Sequence, residues 1–595
     1  MHVGQLRPWV SVVFLEVPAG LEGSAMSIVR HQVEISVARR ADMQLVGNGL
    51  SGQPDDSELV TDGLLFSQAT VPGWASAGAP WIDIEHHLVV WGLRGSLMAV
   101  YCSNKAIINR LQVWLDGPPI PSLRRVDPEY MYAAFAAGQA KILWLSGVHP
   151  SEAVKPDGKT IRGVSLQNAL DRLEDQTFFD SAVRATLQEG QSVILNKAIT
   201  SDAQESRASY GPSTNWSEFV LVVDALLAVL EDARLGAGLA APFPYLARIA
   251  TDLTDVRDAY EVIPVNAEAI ALKPDVTEDE FDAAILLDAL HFEILSTNSA
   301  SVTVNVVDDG NAVGQLVLFP RMRGKKAVIE AGIPVTAQPG IRETVESARD
   351  AIKLVPPAIH YLSGHTISDH RVVIREWRDH PFDYWQPEVF GCDIGREKPG
   401  NGSLVDIQRL TGEPGDDSLF GWVVAKWAAG WLVCDDGTDE VADFVHLAHD
   451  GNLTLIHVKA SPTRSPARRV SSEAFEQLAA QATKNIRSLE KGNLVADLQA
   501  GPRSSSTAVW LDGARGHTRI QFANVLVGRP SRGRVSIALV QPHLQNAVLA
   551  ATRADQAEGR LTVDVARLRR IDDLLHGTSR VAAAVAGTVT VYIAV

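Results

Sequence analysis

Apolar and polar positions alternate differently along different stretches of the chain. Residues 27 to about 150 carry short apolar runs, Leu88–Trp91, Leu97–Tyr101 and Ile142–Leu145, separated by Gly, Pro and Asp clusters. That pattern predicts strands. Ser165-Leu-Gln-Asn-Ala-Leu-Asp-Arg-Leu has helical spacing, and Ser217 precedes an amphipathic run to Leu235. Thr277 with Glu280 makes a capping box ahead of Phe281–Leu295. Residues 165 to 300 are therefore expected to be mostly helical. Two Val-rich runs around Asp308-Asp309-Gly310-Asn311 predict a hairpin over 301–319.

A turn-rich stretch from Asp379 to Pro414 marks a boundary. Beyond it the pattern predicts a helix (Asp417–Ala429), three strands (Trp431–Asp435, Glu440–Leu447, Leu453–Lys459) and a helix (Ser471–Leu489). A turn at His449-Asp450-Gly451-Asn452 joins the last two strands. The tail predicts strands at Ala508–Leu511 and Val535–Val540, helices at His543–Ala551 and Val563–Leu575, and a buried final strand.

The expected fold is a multidomain α+β and α/β protein. Its parts are a 1–25 extension, a β-rich domain (26–160), a mainly helical region (161–300), an α+β region (301–385), an α-β-β-β-α domain (386–500) and a small C-terminal α/β region (501–595).

Composition narrows the class. The chain has 595 residues, 46% hydrophobic and 21% charged, which suits a globular protein and excludes a disordered or collagen-like one. Its three cysteines, Cys102, Cys392 and Cys434, are widely spaced, so neither a disulfide framework nor a zinc knuckle is expected. No apolar run reaches the length of a bilayer span: Asp224 interrupts Phe219–Leu230, and Glu16 ends Trp9–Leu15. No signal peptide is expected either, and a cytoplasmic setting without membrane contact is. The net charge of −17 argues against a surface that grips nucleic acid everywhere.

Three sequence features read as ordinary structure. Ala153 to Thr160 fits a phosphate-loop spacing at Lys159, but Pro156 removes an N–H donor and Pro-Asp-Gly is a turn tripeptide. His360, His365, His370 and His380 are spaced too irregularly to share one face, and read as surface and loop residues. Asp275, Glu278, Asp279, Glu280 and Asp282 sit at a helix start, where the dipole favours negative charge.

A fourth feature differs. Asp435-Asp436-Gly437-Thr-Asp-Glu440-Val-Ala-Asp443 leads into one expected strand, with Asp443 on it, and His457-Val-Lys459 ends the next. Period-two alternation places His457 and Lys459 on one face, and pairing across the turn brings Asp443 toward Lys459. Carboxylates beside a lysine are what metal-dependent phosphodiester cleavage requires.

This segment resembles the PD-(D/E)XK, or restriction-endonuclease-like, nuclease superfamily, over about 100 residues. The α-β-β-β-α order, Asp-Asp-Gly-x-x-Glu-x-Ala-Asp, His-x-Lys-x-Ser and the Gln-bearing helix Ala474–Lys484 carry the resemblance. It implies metal ligation by Asp443 and Glu440, a catalytic Lys459 and a supporting Gln481, with Asp435 and Asp436 as secondary acids. His457 stands where the superfamily usually has a carboxylate; as a ligand it would tolerate Mn²⁺ better than Mg²⁺. The resemblance further implies a DNA-cleaving, Mg²⁺-dependent enzyme of bacterial defence, with a partner protein from a defence operon or a homo-oligomer. The alternative is a catalytically degenerate binding module.

Charge around the motif fits nucleic acid. Residues 459–491 hold seven Lys and Arg against three Glu, and residues 501–535 hold six Arg against Asp512 alone. Arg464, Arg468, Arg469 and Lys484 are the expected phosphate contacts.

Overall fold

The computed structural model describes residues 5–595 apart from 53, 77–78, 118–122, 137, 149–157, 165, 172–174, 188–193, 237–242, 266, 272–275, 309–310, 325, 335–341, 401–402, 438–439, 487–488, 490–493, 500–507, 530–533 and 586. The fold is mixed α and β, and divides into two compact units. The first comprises residues 1–148, 157–251 and 322–327; the second comprises 149–156, 252–321 and 328–595.

The first unit is built on an eleven-stranded sheet. Trp9–Glu16 lies inside it, antiparallel to both Leu97–Cys102 and Arg207–Pro212. Within the expected extension at residues 1–25, Trp9–Glu16 is therefore a central strand, and a helix, Glu22–Ala38, begins before its end. Val13, Leu15 and Val17 face that helix, while Val10, Val12 and Phe14 face the helix Trp216–Leu235. Asn215 caps the latter by accepting from Glu218 N, and its Asp224 accepts from Ser57 Oγ at 3.0 Å and pairs with Arg94 at 2.7 Å. The apolar run around Asp224 is thus a buried helix. Among the described residues, no helix is long and apolar enough to cross a membrane.

Residues 161–300 are not mainly helical. They hold strands Phe178–Thr186, Ile199–Asp202, Arg207–Pro212, Ala259–Ile263 and Leu290–Thr297, and the helix near Ser165 is only Leu166–Ala169. Pairing with sheet neighbours, from adjacent strands to Trp9–Glu16 at the far end of the chain, outweighs the local helical spacing. The capping box and the hairpin occur as expected, Thr277 and Glu280 capping Glu278–Asp288 and Val302–Asp308 pairing with Asn311–Arg323, but the helix expected through Leu295 ends at Asp288 and Leu290–Thr297 is a strand.

The second unit carries the motif on an eight-stranded sheet. Its strands are β1 (Trp385–Glu388), β2 (Trp431–Cys434), β3 (Phe444–Leu447), β4 (Leu453–Val458), β5 (Val509–Leu511), β6 (Ala514–Arg515), β7 (Val535–Gln545) and β8 (Gly587–Ala594). The spatial order is β1-β8-β7-β4-β3-β2-β5-β6. β2, β3 and β4 form an antiparallel meander with Phe444 opposite Ile456. β4, β7, β8 and β1 then run parallel. Residues 501–595 are thus no separate region: β7 and β8 complete the motif's own sheet.

Both faces of this sheet are covered, which explains its nearly continuous apolar strands. On one face, Leu432, Cys434, Phe444, Ile456 and Val458 pack against helices α1 (Leu404–Leu410) and α2 (Leu419–Lys426). Phe420 of α2 meets Phe444 edge-on at 4.8 Å. On the other face, Val433, Val445 and Leu455 pack against α4 (Leu494–Gln499) and α5 (Arg519–Val527). Farther along that face, Ile537 and Leu539 meet α3 (Glu473–Asn485) and α6 (Val563–Ala583). Ser418 caps α2, its Oγ accepting from Gly421 N. Gly430 turns the chain from α2 into β2 with φ +88, and a side chain there would collide with Leu447 O.

Candidate metal-binding site

The connection between β2 and β3 is a braced loop. At its start Asp435 is fully buried; it pairs with Arg519 at 2.6 Å and accepts from Val441 N at 2.8 Å. Arg519 also donates to Cys434 O and Leu498 O. The Asp435 N–H donates to Asp443 O, closing the loop. Gly437, at φ +143, lets its N–H reach Glu440 Oε2 at 3.0 Å. This bracing keeps Glu440–Asp443 out of the sheet, so the strand expected from Glu440 begins only at Phe444.

The loop gathers three carboxylates. Ligand oxygens of Asp436, Glu440 and Asp443 all lie within 4.8 Å of one another. Asp443 Oδ2 accepts from Val458 N at 2.8 Å, across the β3–β4 pair. Burial, followed by repulsion from Glu440 and Glu397, pushes the Asp443 carboxyl well above its ordinary range, although the Val458 bond opposes this. Burial likewise raises Glu440 to about 7. Carboxylates that resist ionisation together mark a place where a cation is favoured. The donors are all hard oxygens, a set that could hold a divalent cation.

A fourth carboxylate and two ammonium groups border the trio. Glu397 comes from the turn-rich stretch before α2; its carbonyl accepts from Phe420 N, and its Oε2 accepts from Ala460 N at 3.3 Å. Lys459, just past β4, brings Nζ to 3.7 Å from Glu397 Oε2. Asp443 and Lys459 therefore share Glu397 as a neighbour. Lys398 Nζ lies 2.7 Å from Asp436 Oδ1 and 3.4 Å from Glu397 Oε1. Burial works against the Lys398 charge, but Glu397, Asp436 and Asp443 outweigh it and raise its pKa.

Two expected members stay apart. His457 is fully buried, neither ring nitrogen has a partner among the described residues, and it does not belong to the carboxylate trio. Alternation along β4 places it with Leu453 and Leu455, on the side away from Ile456 and Val458. Burial alone pulls its pKa down to about 4, so it is a neutral imidazole. Gln481 lies half-buried on α3, and among the described hydrogen bonds none joins it to the trio.

The basic flank is largely spent on the protein itself. Arg468 is buried and donates to the carbonyls of Ser465, Pro542 and His543. Arg515 holds carbonyls before α2 and lies over the Trp510 ring. Asp435 and Arg519, expected at the site's mouth and on the basic path, instead form the loop brace. Exposed cations remain at Arg464, paired with Asp393, at Arg469, paired with Asp564, and at Lys484. Arg487, Lys491, Arg503 and Arg532 lie outside the described residues.

Glu397 and Lys398 were not legible as site residues. Their only trace in the sequence is an adjacent acid–base pair inside Gly395-Arg-Glu-Lys-Pro-Gly400. Elsewhere, Lys159 lies on the strand Gly158–Arg162 and pairs with Asp175; residues 153–157 of its loop lie outside the described residues. His360 and His365 are buried strand residues rather than surface ones, bonded to Thr366 and Ser363 respectively. No family model, curated protein or solved structure matches this chain.

Proposed function

We propose that the second unit is a metal-dependent nuclease that hydrolyses phosphodiester bonds in DNA. The convergence of Asp436, Glu440 and Asp443 within 4.8 Å carries this reading. The succession of α2, the β2–β3–β4 meander and α3 keeps the α-β-β-β-α order on which the resemblance rests. A bound Mg²⁺ or Mn²⁺ would acidify a water and stabilise the leaving oxygen. Asp436, Glu440 and Asp443 would hold it. Lys459, half-exposed beside Glu397, would orient the water or balance charge on the phosphate. A cytoplasmic role in defence against foreign DNA, with a partner protein or as a homo-oligomer, follows from the resemblance.

Plasmid cleavage with Mg²⁺ or Mn²⁺ tests this. Wild type is expected to cut, and Asp443→Ala and Lys459→Ala to lose cutting while remaining folded. Cleavage retained in both variants would remove the site assignment.

A second reading has its own observation. His457, where the superfamily usually has a carboxylate, is withdrawn from the trio. That feature suits a module that binds DNA or protein without cutting. Absence of cleavage of any DNA or RNA by wild type under either metal would favour it.

A further inference from the structure

Lys398 reaches into the carboxylate cluster from outside the motif. Its ammonium touches Asp436 and Glu397, and it contributes to the field at Asp443 and Glu440. The cluster holds four carboxylates, Glu397, Asp436, Glu440 and Asp443, against two ammonium groups, Lys398 and Lys459. Lys459 meets only Glu397 among the described ion pairs, so Lys398 is the cation placed directly on a residue of the trio.

The mounting of Lys398 suits movement of its side chain. Its neighbours are fixed, because Leu419 N and Phe420 N donate to the carbonyls of Arg396 and Glu397 at the start of α2. Its stem passes the Phe420 ring, with Nζ 5.7 Å from the centroid. The side chain nevertheless keeps 30% exposure, so the ammonium can swing into water without backbone rearrangement. A divalent ion and this ammonium would compete for the same oxygens, since both are held by Coulomb attraction in a poorly solvated place.

We propose that Lys398 is a built-in competitor for the metal: its ammonium occupies the carboxylate cluster in the metal-free protein and must leave Asp436 before a divalent cation binds. This rests on the metal-dependent reading above. The lysine neutralises the cluster while the metal is absent, and it sets a threshold of cation concentration for loading. Lys459, outside the trio, keeps its place in both states.

The experiment is Mn²⁺ titration of the full-length protein by calorimetry, with no DNA present. Lys398→Met keeps the stem beside Phe420 and removes the charge. It is expected to bind Mn²⁺ at least tenfold more tightly than wild type. Lys398→Arg, which retains the charge, is expected to bind no more tightly than wild type. Melting without metal controls for folding: Lys398→Met should melt below wild type and gain more from added Mn²⁺. Equal or weaker Mn²⁺ affinity in a folded Lys398→Met overturns the competitor role and leaves the nuclease reading standing if wild type binds metal. Failure of both proteins to bind Mn²⁺ at millimolar concentration overturns both.

Discussion

Arg519 and Asp435 form an ion pair of 2.6 Å whose side chains are 2% and 0% exposed. It ties α5 to the loop that carries Asp436, Glu440 and Asp443. Removing one partner leaves the other charged and buried, which costs about 3 to 5 kcal/mol. Arg519→Met is therefore expected to lower stability by that order in urea unfolding, and to weaken Mn²⁺ binding through the loosened loop. Arg519→Met with Asp435→Asn should recover part of the stability. An Arg519→Met protein as stable as wild type would show that the brace carries no load.

His457 offers the opposite case. Two buried nitrogens without partners cost on the order of 1 to 3 kcal/mol each at most. His457→Leu, of similar size, is expected to be neutral or stabilising and to leave Mn²⁺ affinity unchanged. Loss of metal binding in a folded His457→Leu would restore the histidine as a ligand.

The raised acids predict a pH signature. Glu440 is held near 7 in the folded protein against 4.5 in the unfolded chain, so between those values the folded state keeps a proton that the unfolded state has released. Its contribution to stability is complete below about pH 4.5 and is lost as pH rises through about 7. The melting temperature of metal-free wild type, compared with Glu440→Gln, should therefore fall between pH 5 and 8. Mn²⁺ affinity should rise over the same range, because the ligand must ionise first. The shift at Asp443 acts in the same direction. A stability difference from Glu440→Gln that stays flat across this range would contradict the assigned shift.

The arginines divide into two kinds. Arg468→Ala is expected to cost about 2 to 3 kcal/mol of stability, because it leaves buried carbonyls of Pro542 and His543 unpaired. Arg464→Glu and Arg469→Glu are expected to leave folding intact and to weaken DNA binding. Each should reduce the salt dependence of binding by about one phosphate contact. Unchanged DNA affinity in both would place the DNA path elsewhere.

Much of the second unit was legible because its signals are local. The β2–β4 meander follows from β-branched runs and the turn at Asp450-Gly451, and α2 from the apolar run behind Ser418. Asp443 and Glu440 stood out through their spacing. What escaped depends on distant partners. Trp9–Glu16 reads as an isolated apolar run until Arg207–Pro212 pairs with it. Arg519 reads as a surface cation until Asp435, 84 positions earlier, buries it. Glu397 and Lys398 sit in a stretch with no periodicity, and only the fold of β4 against α2 brings them to the trio. His457 shares the parity of Lys459, but it lies inside β4 and is buried, whereas Lys459 lies just past the strand's end and is half-exposed.

The position of β7 has a practical consequence. It runs between β4 and β8, with Leu539 beside His457 and Val540 O accepting from Lys459 N. A fragment cut at residue 500, where the motif itself ends, would strip the partner strand from β4. It would bare a row of unpaired peptide groups flanked by Leu455, Ile456 and Val458, the kind of apolar edge on which chains stack into aggregates. Expression trials that trim to the motif are expected to yield insoluble material, whereas fragments extending through Ala594 keep the sheet closed on that side.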